Sequence, residues 1–132
     1  MLKSYERILV VTDGMKTSES VHKSALKIAQ QHHAQIVLVD TVEPPTTTAK
    51  WFSPNANQIF EMVVSDKQVK LETIAKELRR EGLEVATKIL FGTSSKAITN
   101  EVIQWKASLV IRYRKGFRSK FPGLFGHTAR NL

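Results

Sequence analysis

The chain contains no cysteine, which excludes disulfides and thiolate metal sites and fits a reducing compartment, so the cytoplasm is the expected location. No apolar stretch approaches the roughly 20 residues of a membrane-spanning helix, and no membrane association of that kind is expected. Lys3 and Arg7 precede the run Ile8-Leu9-Val10-Val11, but that run meets Thr12-Asp13-Gly14 at once and is too short for a signal-peptide core. Two phosphate-binding fingerprints are missing, Gly-x-x-x-x-Gly-Lys-Ser/Thr anywhere and Gly-x-Gly-x-x-Gly after the first apolar run. There is no nucleophile in recognisable spacing to a base and no cluster of metal ligands, so an enzyme is not expected. His32 and His33 stand together without ligand partners nearby in sequence, and a contact with a helix C-terminal dipole is their expected role.

A chain of 132 residues fits one domain, and folding at that size hides roughly two thirds of the surface of the unfolded chain. The formal charge is +8, and five of the cations fall between Arg112 and Lys120; without them the remainder carries 8 − 5 = +3. A local excess of this kind points to anionic partners: phosphate, nucleic acid or an acidic protein surface. The plainer reading is a solvated basic loop. For nucleic acid, Tyr113 and Phe117 interleave with the cations as a stacking surface would.

Hydrophobic patterning orders the rest. Arg7 to Asp13 reads as a strand whose apolar residues are consecutive, as in a parallel sheet buried on both faces. Val21, Ala25, Ile28 and Ala29 recur at helical spacing up to about His32, and Ala34 to Val42 is a second buried strand. Glu43 to Asn57 reads as a loop whose Trp51 and Phe52 are expected to fold back onto the core. Ser53-Pro54 signals the start of a helix, which shows a weak patch near Asp66-Lys67 and ends at Arg79-Arg80 before Gly82. Val85 to Phe91, a helix from about Ala97 to Trp105, and Ser108 to Arg112 complete the described order, with a truncated helix after them. Strands and helices in alternation imply a parallel sheet with helices on both faces, without internal repeats or a linker.

The first strand ending in Asp13, the helix with Ala25 and Ala29, Gly92 after the third strand, and Leu109-Val110-Ile111 followed by Gly116, nine residues and Gly126 resemble the universal stress protein family from about Tyr5 to Leu132. The resemblance implies a Rossmann-like α/β three-layer sandwich, related to the adenine nucleotide alpha hydrolase-like folds, with a parallel sheet in the order 3-2-1-4-5. It also implies a cytoplasmic homodimer, or pairing with a second stress-protein domain. Residues 1–132 are expected to form one such domain, truncated before the fifth strand, since nothing supplies the basic residue and Pro-x-Pro-Val-like stretch that introduce it; a fragment of a tandem protein fits the same reading. An uncovered fourth strand would invite pairing with another chain.

Nucleotide-binding members are similar in carrying Gly, two residues, Gly, nine residues, Gly, then Ser or Thr after the fourth strand. Here those positions are Tyr113, Gly116, Gly126 and His127, so two of four are altered. A side chain in a glycine-only conformation costs about 1 to 3 kcal/mol, and an imidazole replaces a small hydroxyl donor. The resemblance therefore implies a degenerate nucleotide or anion pocket made of Asp13, Gly14, Thr41, Arg112, Gly116, Gly126, His127 and Thr128. Asp13 matches the acidic residue near adenine and ribose, and Thr41 falls where binders usually place a valine. No cofactor is expected, with ATP binding in the family manner as the alternative.

Overall fold

Ile8, Leu9, Val10 and Val11 are wholly inaccessible to solvent, so side chains on both faces of this strand are covered. A computed structural model describes residues 5–12 and 19–112, the side chains of 19–22 excepted. The elements are β1 (Arg7–Val11), α1 (Glu19–His32), β2 (Gln35–Val42), α2 (Thr47–Phe52), α3 (Ala56–Arg80), β3 (Glu84–Phe91), α4 (Ser94–Trp105) and β4 (Leu109–Arg112). The strands form one sheet in the order β3-β2-β1-β4. Every pairing is parallel, with Val10 opposite Leu38 on one side and Ile111 on the other.

The two-residue period of the strands divides the core. Ile8, Val10, Ile36 and Leu38 meet Ala25 and Ala29 of α1 and Leu71, Ala75 and Leu78 of α3. Leu9, Val11, Val37 and Val39 meet Ala97 and Ile98 of α4. The result is a three-layer α/β sandwich. The connections through α1 and α3 carry the chain in one direction across the sheet, and the one through α4 carries it back. Since parallel crossovers keep one hand, the reversal puts α4 on the opposite face and leaves a switch point between β1 and β4.

The edges of the sheet are managed differently. On β3, the Val85 carbonyl accepts from Arg79 Nε at 3.0 Å and from the same guanidinium's Nη2 at 2.8 Å. Lys88, exposed on the same strand, pairs with Glu101 Oε1 at 2.9 Å. A guanidinium on an edge carbonyl and an edge lysine both discourage strand addition. Among the described residues β4 ends the other side, yet Leu109, Val110 and Ile111 are already buried within the single chain.

Several details differ from the sequence reading. The stretch from Glu43 to Asn57 is not all loop: Thr46 Oγ1 accepts from the Ala49 N–H at 3.0 Å and caps the short helix α2. Ser53 ends that helix, its N–H donating to the Ala49 carbonyl at 2.9 Å, and the N-cap of the next helix falls on Asn55 instead. Helix α3 starts at Ala56 behind Asn55, and it runs unbroken through Asp66 and Lys67. Trp51 and Phe52 do not fold back onto the core, being 82% and 86% exposed on a helix that buries none of its residues. At the end of α1, His32 Nδ1 accepts from the Tyr5 N–H at 3.3 Å and its ring meets the Tyr5 ring edge-on, so the imidazole serves the chain start rather than the helix dipole.

Full burial of an aliphatic side chain contributes about 1.5–3 kcal/mol, and a rigid sheet strand cannot collapse into a void. Leu9→Ala is therefore expected to lower the unfolding free energy by about 2–5 kcal/mol in urea titration. Ile103→Ala, on the solvent side of α4, should stay within about 0.5 kcal/mol of the parent.

Candidate functional site

In open parallel sheets the crevice for ligands lies beyond the carboxyl ends of the strands at the switch point. Here that edge is built from the ends of β1 and β4, with β2 beside them. Thr12, directly after β1, is buried; its N–H and its Oγ1 both donate to the Val39 carbonyl, at 2.9 and 3.2 Å. This double bond to β2 holds the chain as it leaves the sheet. On the far side, Arg112 closes β4 opposite Val11, and its Nη2 donates to Ser94 Oγ at 3.1 Å. The guanidinium thus joins the end of β4 to the first residue of α4.

Thr41 sits two residues beyond Val39 on β2 and is buried. Its conformation is held from both ends. Its N–H donates to Asp40 Oδ1 at 2.7 Å, and its carbonyl accepts from Lys67 Nζ at 2.9 Å. Lys67 reaches Asp40 Oδ1 as well, at 3.3 Å, so one ammonium from α3 satisfies a buried carboxylate and a strand carbonyl together. Isolated, that carboxylate would be heavily penalised by desolvation; paired, it pins the carboxyl half of β2 to α3.

Two of the residues expected at the pocket, Thr41 and Arg112, are therefore on the same edge of the sheet, flanking β1. Strand spacing puts β2 and β4 roughly 10 Å apart, about the width of a nucleotide base with its sugar. Asp13, Gly14, Gly116, Gly126, His127 and Thr128 lie outside the described residues, as do Tyr113 and the rest of the basic segment. Sequence reasoning overlooked Thr12, Ser94 and the Asp40–Lys67 pair. Asp40 carried a signal, because it is a carboxylate inside the run Ile36 to Val42 and a charge there requires a partner. Among the described residues no group of three His, Asp or Glu side chains is placed to hold a metal ion, and no helix is long and apolar enough to cross a membrane.

A parallel sheet in this order, with helices on both faces and a switch point between β1 and β4, defines a Rossmann-type domain. The sequence model of the universal stress protein family matches residues 4–132, and the chain belongs to that family. A universal stress protein of Methanocaldococcus jannaschii is 23% identical over 128 residues, covering 97% of this chain and 75% of that protein. Among solved structures, universal stress protein UspA from Lactobacillus plantarum superposes with a TM-score of 0.76 at 17% identity, covering 90% of this chain and 83% of the other. A universal stress protein in complex with cAMP gives 0.65 at 18% identity, covering 98% and 88%. At such identities these structures speak for the fold alone.

Lys67→Met leaves the Asp40 carboxylate buried without its cation, and is expected to cost about 2–3 kcal/mol in unfolding free energy. Adding Asp40→Asn to that variant should recover a good part of the loss. A double-mutant cycle by urea denaturation reads the coupling, and additive losses would show that the pair does not act as a unit.

Proposed function

We propose that this member of the family is a cytoplasmic stress-response module that works by association with a second copy rather than by turnover, and that its edge crevice is a nucleotide or anion pocket without a working triphosphate cradle. One observation carries the reading. Tyr113 and His127 occupy positions where nucleotide-binding members have a glycine and a small hydroxyl residue. A cradle of main-chain N–H groups needs residues that tolerate positive φ and leave room for phosphate oxygens, which a phenol ring does not. Asp13, Gly14, Thr41, Arg112, Gly116, Gly126, His127 and Thr128 are assigned to this pocket. The neighbouring cations Arg114 and Lys115 favour an anion there. Arg112 supports the reading from another side, because its guanidinium already holds Ser94 across the edge.

A second reading is retained because one structural neighbour is a complex with cAMP. A cyclic monophosphate brings adenine, ribose and a single phosphate, and so places no demand on a triphosphate cradle. Both readings are separated by isothermal titration calorimetry of the protein with ATP and with cAMP. The expected result is no micromolar affinity for ATP. Micromolar ATP binding that Asp13→Ala weakens would overturn the first reading, and micromolar binding of cAMP alone would promote the second.

A further inference from the structure

The exposed large apolar side chains of the described residues are concentrated in one place. Apart from Ile103 on α4, they belong to α2, to α3 and to the last residue of β3. Helix α3 has 25 residues and so measures about 37 Å, whereas β2 and β3 have eight residues each and span about 26 Å. Its buried residues, Leu71, Ala75 and Leu78, are all in its second half. The Phe60 ring meets Phe91, the end of β3, at a centroid distance of 5.8 Å, so the turns before Phe60 project beyond the sheet. Together with α2 they make an arm.

The arm carries a cluster of exposed apolar side chains. Ile59 and Met62 are 54% and 65% exposed, and Trp51 and Phe52 more so, while Phe60, Val64, Ile89 and Phe91 line a groove of about 540 Å³ at its root. A contiguous exposed apolar patch marks a surface that meets something else. Among the described residues nothing covers this one.

We propose that the arm is the surface through which two copies of this chain associate, packed on itself about a two-fold axis. The proposal rests on the association named above and says where it occurs. Three observations choose a second copy over other partners. Between Pro44 and Ser65 the only charged residues are Lys50 and Glu61, in a chain that carries +8. Nucleic acid or an anionic membrane would seek the cations and find one here; a second copy finds a face where basic molecules approach without repulsion. The two charges are of opposite sign, so the face brings no net charge to a two-fold contact. The area also suffices. Aromatic side chains bury roughly 150–250 Å² each, and with Ile59, Met62 and Val69 added to Trp51, Phe52 and Phe91 the arm offers on the order of 800 Å² per copy, the share of each partner in a standard interface. A two-fold contact uses the same patch twice, so all of that area counts on both sides.

Sedimentation equilibrium of the full chain tests this, with Trp51→Ala and Met62→Glu as arm variants and Ile103→Glu as a control at the other exposed apolar site. Far-ultraviolet circular dichroism verifies the fold of each. A dimer is expected whose dissociation constant rises about thirtyfold or more in each arm variant and stays unchanged in the control. In a Trp105→Phe background Trp51 is the sole indole, and its emission is expected to move to the red on dilution as the dimer separates. A dimer indifferent to both arm variants, with Trp51 emission independent of concentration, overturns the arm while leaving association intact. A monomer throughout overturns both, including the case in which Trp51 responds only to added phosphatidylglycerol vesicles.

Discussion

Everything in this molecule depends on one strand being sealed on both faces. β1 has β2 on one side and β4 on the other, and the four consecutive aliphatic residues Ile8 to Val11 leave no face for solvent. Two helix layers are then obligatory, because each face of the strand must be covered separately. The same arrangement fixes where a ligand can go. With β1 as the strand at which the chain changes direction, the crevice at its carboxyl end is a product of topology and not of any one side chain.

The carboxyl edge of the sheet is held together by side-chain contacts. Thr12 still ties β1 to the Val39 carbonyl, Lys67 still holds Asp40 and Thr41, and Arg112 bridges β4 to Ser94. None of these contacts involves a nucleotide. They belong to the stability of the sheet end.

The strands were legible in the sequence because consecutive aliphatic residues bounded by polar breaks have few alternatives, and the order 3-2-1-4 followed from the resemblance. The arm was not legible. Trp51 and Phe52 look like core residues to any hydrophobicity argument, and only the length of α3 relative to its strands reveals that they stand past the end of the sheet. Nor could the Asp40–Lys67 pair be read, since 27 positions separate the partners and pattern reasoning works over a few turns. Ser53-Pro54 misled for a more local reason: a serine can open one helix or close another, and here Ser53 closes α2 while Asn55 opens α3. Thr41 and Arg112 lie at the carboxyl edge because strand register carries them there.

The account turns on whether the protein holds an adenine nucleoside triphosphate at that edge in the cell. Native mass spectrometry of the protein purified without added nucleotide reads this directly. The expected spectrum shows the polypeptide mass with no triphosphate adduct; a stoichiometric ATP adduct that survives gentle desolvation, and disappears in Asp13→Ala, would contradict it.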